Sequence, residues 1–240
     1  MNIHSARARV ASAPALLYFK GDPRKAGLRG TVLFYHGLLV SKETNKGELE
    51  GLARAGLLAV GIDTIGHGER RYDDYDERFT SKKGAFEKNF LEAVALTVKE
   101  IPSLIDDLVQ DGYSRPGGIG VCGISMGGYI TYGAVVADRR IAAAVPILGN
   151  PRWRLPFPES PDHTPEKFFP TALLSQNAGD DEHVPPRFAR ELHEKLVPFY
   201  KEAPERLAHI EYPGERHMVS EETWKTLWSR TVEWFVRFLA

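Results

Sequence analysis

Apolar residues fall along this chain in two alternating rhythms, and their order sets the first expectation about the fold. Short apolar runs occupy residues 31–35, 57–62, 119–124, 141–148, 171–177 and 207–212. Runs of this length, with little polar alternation, suit strands buried on both faces of a mostly parallel sheet. Between them lie stretches whose apolar positions recur every three to four residues. Residues 45–55 read as an amphipathic helix stopped by Gly56, and residues 85–110 as a long helix with Pro102 inside it. Residues 126–137, 187–200 and 221–239 read as three more helices. At the start, residues 6–20 alternate loosely and stop at the turn Gly21-Asp22-Pro23, which predicts one or two antiparallel edge strands. Residues 70–83 are rich in charge and tyrosine without a period, and read as an exposed excursion. The alternation of strand and helix predicts one α/β domain over residues 1–240. Its sheet should be mostly parallel, of about eight strands, with helices on both faces.

One segment breaks the rhythm. Residues 150–170 hold six prolines, with Trp153, Phe157 and Phe168 among them. The stretch is too proline-rich for a strand or long helix, and too aromatic for a solvated linker. It reads as a small lid over the carboxyl edge of the sheet, with those three aromatic residues as candidate substrate contacts.

Composition narrows the class. With 42% hydrophobic residues, 26% charged residues and a net charge of -1, the chain is an ordinary globular protein with no basic field for nucleic acid. Cys122 is the single cysteine, so an internal disulfide and a multi-cysteine metal site are both excluded. The first ten residues carry Arg7 and Arg9 without an apolar run, so neither a secretory signal nor a membrane span is expected and the reading is a cytoplasmic protein. Asp180, Asp181, Glu182 and His183 lack a metal-ligand spacing, and the glycines from Gly118 to Gly123 lie within a strand rather than opening a helix. No metal or cofactor is expected, and the sequence leaves the oligomeric state open.

Candidate chemistry gathers at Gly123-Ile124-Ser125-Met126-Gly127, where an apolar strand meets the start of a helix. A serine between two glycines at such a junction reads as a nucleophile on a strained turn. Its hydroxyl needs a base, and the base needs an acid to orient it. His217 follows the last predicted strand in Pro213-Gly214-Glu215-Arg216-His217, where a side chain can overhang the sheet edge. Asp180 and Asp181 follow the strand at residues 171–177 and emerge at the same edge. The backbone N–H of Met126, at the start of the helix, is a natural donor to a developing oxyanion.

The chain order Ser125, Asp181, His217 is that of α/β-hydrolases, and the sequence resembles that superfamily over nearly its whole length. Gly123 to Gly128, His36-Gly37 and the Gly179 to Pro185 stretch are similar to small single-domain serine esterases grouped with dienelactone hydrolases and prolyl-oligopeptidase-like enzymes. The resemblance implies Asp181, rather than Asp180, as the acid, and the N–H of Leu38 as second oxyanion donor. It also implies that Asp63 to Gly68 helps form the mouth of the site. Dienelactone hydrolases carry a cysteine at the elbow, where this chain carries Ser125. The expected activity is hydrolysis of a small-molecule carboxylic ester through an acyl-enzyme. A thioesterase or small peptidase would use the same triad, and a noncatalytic binding module on this scaffold would show a broken constellation.

Overall fold

A computed structural model describes residues 2–80, 85–154 and 160–239. Ile3–Val10 (β1) and Ala13–Lys20 (β2) form an antiparallel hairpin at one edge of a single sheet, and β2 pairs antiparallel with Leu58–Ile62 (β4). From β4 onward the pairing is parallel, through Thr31–Tyr35 (β3), Ile119–Ile124 (β5), Ile141–Ile147 (β6), Ala172–Ala178 (β7) and Leu207–Tyr212 (β8). The order β1-β2-β4-β3-β5-β6-β7-β8 reverses direction at β3, because β4 lies on one side of it and β5 on the other. A reversal of this kind opens a crevice beyond the carboxyl ends of the strands. Gly37-Leu38 leaves β3 and Ser125 leaves β5 at that crevice.

Alternate residues of each parallel strand serve opposite faces. Leu33, Tyr35, Val60 and Val121 join a core with Pro23–Arg29 (α1), Phe86–Gln110 (α4), Met126–Ala137 (α5) and Arg187–Leu196 (α6). Val32, Phe34, Cys122 and Val145 face Lys46–Arg54 (α2) and Glu221–Leu239 (α7) instead. Burial on both faces is why these strands read as unbroken apolar runs. Among the described residues, no helix is long and apolar enough to cross a membrane.

Two helices depart from the sequence expectation. Asp22-Pro23 does not merely end β2: Asp22 caps α1, its carboxylate accepting the Lys25 N–H at 2.9 Å, and Pro23 takes the first helical position. Within the expected excursion, Tyr75–Phe79 forms a short helix (α3). Tyr75 and Phe79 are buried, with ring centroids 5.2 and 4.8 Å from that of His67. A helix of five residues is too short to show a period, and its apolar pair is spaced to share one face. Residues 81–83 of the expected excursion lie outside the described residues.

A buried ion pair fastens the loop after β3 to the loop after β4. Lys42 Nζ lies 2.7 Å from Asp63 Oδ2 and 2.6 Å from Glu69 Oε1, and the Lys42 side chain is fully buried. The backbone N–H groups of Lys42 and Glu69 both donate to the Asp63 carboxylate at 3.0 Å. Burial pushes the pKa of Asp63 up, but the ammonium and the two N–H donors outweigh it and hold the carboxyl below its usual range. Replacing Lys42 by Met leaves that carboxylate buried without its cation, which should cost about 3–5 kcal/mol in urea unfolding. A depressed pKa contributes stability above the unfolded value of about 3.9, and the contribution is lost as pH falls through the folded value. The gap between wild type and Lys42→Met should therefore narrow in acid, and a gap constant from about pH 7 to about pH 3 would contradict this account.

Candidate active site

β5 ends at Ser125, whose backbone sits at φ 54°, ψ -110°, before α5 begins at Met126. A non-glycine residue in this region is strained, by about 1–3 kcal/mol. The surroundings leave no alternative. A Cβ on Gly123 would run into the backbone of Gly127, and a Cβ on Gly127 would run into the Tyr35 carbonyl at the end of β3. The turn is held by Ser125 N–H donating to Ile147 O at 2.9 Å, while Ser125 O accepts from Gly128 and Tyr129 at 2.8 and 3.1 Å. Ser125 is left half-buried with Oγ at the crevice.

The loops after β7 and β8 bring the other two residues to it. Ser125 Oγ lies 3.0 Å from His217 Nε2, and His217 Nδ1 lies 2.6 Å from Asp181 Oδ2. Asp181 Oδ1 accepts the N–H groups of His183 and Val184 at 2.9 and 2.8 Å. Burial would raise the pKa of Asp181, but the hydrogen bond from His217 and the two backbone donors hold it below the usual carboxylate range. An ionised carboxylate only accepts, so Nδ1 carries the imidazole proton and Nε2 is free to accept from the Ser125 hydroxyl. The side chain of Asp180 is not part of this chain of bonds, and the residue is exposed.

Sequence reading passed over the residue that anchors the histidine loop. Glu215 O accepts the Asp180 N–H at 2.8 Å, tying the loop after β8 to the loop after β7. Its carboxylate accepts from Ser220 N–H at 2.8 Å and Thr223 Oγ1 at 2.6 Å, at the start of α7. The available signal was the acidic residue five places before Ser220 and the helix that follows.

A cavity of about 830 Å³ opens above Ser125. Leu38, Phe90, Tyr129 and Phe188 supply its apolar wall, and Asn150, Arg152 and Arg154 a polar one. Two of the expected substrate contacts are not part of it. Trp153 is 4% exposed, and its ring packs against α5 where a Cβ on Gly133 would meet it at 2.9 Å; Phe168 is fully buried in the core. Burial alternates along residues 152–154, so Trp153 turns into the core while Arg152 and Arg154 face the cavity. Phe157 lies outside the described residues. The segment is clasped on both sides of residues 155–159: Arg152 bonds Asp162 at 2.8 Å and Glu191 of α6 at 2.7 Å, and Ser160 Oγ accepts the Trp153 N–H at 2.9 Å.

The Asp63 to Gly68 loop does not line the cavity either. Asp63, Thr64 and His67 are fully buried and brace the β3 exit from behind, with Thr64 N–H donating to His36 Nε2 at 3.1 Å. Burial, reinforced by the neighbouring His36, lowers the pKa of His67 to about 4. His183 borders the cavity, its ring centroid 5.7 Å from that of His217. Among the described residues, no cluster of three or more His, Cys, Asp or Glu side chains is placed to hold a metal ion.

Comparison with known proteins agrees with this architecture. The model of the Dienelactone hydrolase family matches residues 43–239. A Bacillus subtilis (strain 168) protein named "Putative esterase YitV" is 28% identical over 259 residues, spanning 96% of this chain and 97% of its own. The crystal structure of TT1662 from Thermus thermophilus has a TM-score of 0.79 at 20% identity, with 98% of this chain and 99% of the other covered. A cold-adapted esterase from an Arctic intertidal metagenomic library has a TM-score of 0.67 at 20% identity, with 99% and 94% covered. The family match spans most of the chain, which therefore belongs to the dienelactone hydrolase family and is a hydrolase of α/β-hydrolase fold.

Proposed function

We propose that this hydrolase cleaves carboxylic esters with Ser125 as nucleophile, His217 as general base and acid, and Asp181 as the carboxylate that orients the imidazole. The observation that carries the reading is the hydrogen-bonded chain from Ser125 and His217, which line the cavity, to the buried Asp181 behind them. Ser125 Oγ attacks the ester carbonyl carbon as its proton passes to His217 Nε2. The carbonyl oxygen becomes an oxyanion, for which the N–H groups of Leu38 and Met126 are the proposed donors. Among the described residues neither N–H has a protein acceptor, and α5 adds the positive end of its dipole. Each preorganised donor of this kind is worth about 2.7–4 kcal/mol in the transition state.

Collapse of the intermediate breaks the C–O bond to the alcohol, which leaves with the proton from His217. Water then attacks the acyl-enzyme, giving its proton to His217, and Ser125 takes a proton back as the carboxylic acid departs. The cavity wall of Leu38, Phe90, Tyr129 and Phe188 suits an apolar acyl group, and support for esters over thioesters or peptides comes from the esterase name carried by the Bacillus relative that matches end to end.

An activated aryl ester should give a burst of alcohol release in wild type and none in Ser125→Ala. Turnover unchanged in that variant would overturn the assignment. Asp181→Asn should keep its shape but favour the wrong imidazole tautomer, lowering kcat by about 10³–10⁴-fold. Asp180→Asn alters an exposed side chain outside the chain of bonds and should stay within about threefold of wild type. The reverse ranking would place the acid one residue earlier.

A further inference from the structure

We propose that His36 is the positioning residue for the Leu38 N–H: fixed as its Nδ1–H tautomer, it grips the Gly37 carbonyl and so turns the Leu38 N–H toward Ser125. The inference rests on the reading of Leu38 as an oxyanion donor and deepens it.

His36 leaves β3 fully buried. Thr64 N–H donates to its Nε2 at 3.1 Å, and Thr64 Oγ1 lies 2.8 Å from the same nitrogen. A backbone N–H can only donate, so Nε2 is an acceptor and the ring's one proton resides on Nδ1. That nitrogen faces Gly37 O at 2.7 Å, so it donates to the carbonyl of the next residue. Burial outweighs the opposing pull of the Gly37 carbonyl and of nearby Asp63 and holds the pKa of His36 below its usual value, which favours the neutral ring. A protonated ring would set an Nε2–H against the Thr64 N–H.

The Gly37–Leu38 peptide is trans, since the cis bond among the described residues is Phe169–Pro170. In a trans peptide the C=O and the N–H point in opposite directions. Gripping the Gly37 carbonyl on the His36 side therefore aims the Leu38 N–H the other way. The loop lies directly against the nucleophile, because a Cβ built on Gly37 would sit 3.9 Å from Ser125 Cβ. Beyond the peptide, Leu39 has φ 65°, a left-handed conformation that a bulky side chain adopts only when held there. His36 holds the near end of this turn, and the Lys42 N–H bonded to Asp63 at 3.0 Å holds the far end.

Two substitutions separate the two bonds of the ring. In His36→Asn the amide nitrogen can occupy the Nδ1 position and donate to Gly37 O. In His36→Gln the amide reaches the Nε2 position, accepting from Thr64 while leaving the Gly37 carbonyl without its donor. His36→Gln should lower kcat by about 10- to 100-fold, with KM within about threefold, while His36→Asn keeps at least about a third of wild-type kcat. An alkyl trifluoromethyl ketone, whose adduct with Ser125 places an oxyanion in the hole, should bind His36→Gln more weakly by the same factor as the loss in kcat. A product carboxylate should bind it as it binds wild type. Wild-type kcat and ketone affinity in His36→Gln would overturn the inference. So would equal damage in both variants at equal thermal midpoints. If His36→Gln does not fold, His36→Asn decides: near-wild-type kcat supports the inference, and a loss of 10-fold or more in a folded protein, or an unchanged kcat with weakened ketone binding, opposes it. Failure of the ester hydrolase reading appears elsewhere, as turnover surviving in Ser125→Ala.

Discussion

The site depends on how closely three strands and one helix approach at the turn between β5 and α5. Gly127 lies against the Tyr35 carbonyl of β3, Gly128 against Gly149 beyond β6, and Gly123 against Gly127 itself. No Cβ fits at these contacts, so the backbone reaches a distance that side chains would forbid. The strained serine is the outcome of this packing. Its conformation is over-determined by the Ile147 carbonyl on one side and the helix it starts on the other. The positions of Ser125 and of the loop after β3 are thereby set by the sheet rather than by the mobility of their own loops, which is the condition a near-attack geometry requires.

Two buried aspartates show one solution used for two purposes. Asp63 and Asp181 each accept two backbone N–H groups and one side-chain donor. In both, hydrogen bonds to the charged form outweigh burial and keep the carboxyl ionised. They differ in the third partner. Lys42 carries a fixed charge, and with it Asp63 acts as a fastener between loops. His217 gains and loses a proton in the proposed cycle, and Asp181 is left to hold a ring whose charge changes beside it.

The parallel sheet was legible because strands buried on both faces can hardly be written in any other composition, as β3, β4 and β5 show. The spacing of Ser125, Asp181 and His217 was legible for a related reason: each follows the carboxyl end of a predicted strand, and parallel strands bring those ends to one edge. Helix α1 was hidden because Asp22-Pro23 punctuates a turn and a helix start with the same residues. Sequence reading placed the aromatic character of the site in residues 150–170, since composition records that Trp153 and Phe168 are present but not which way they turn. The cavity instead draws Phe90 from α4, where it reads as one more position in a core stripe, and Phe188 from α6. A helix that extends past the core it packs on carries the same period into the open, and nothing in the repeat marks where the core stops.

The clasp formed by Arg152, Asp162 and Ser160 separates two kinds of sequence change. Its bonds close the chain on either side of residues 155–159, next to cavity-facing Arg152 and Arg154. A loop whose ends are already joined can change length at little entropic expense, since closure grows only slowly with the number of residues enclosed. Changes of length or sequence between Arg154 and Ser160 therefore leave the sheet and the serine turn in place. The clasp thereby holds Arg152 and Arg154 at the cavity whatever sequence joins Arg154 to Ser160.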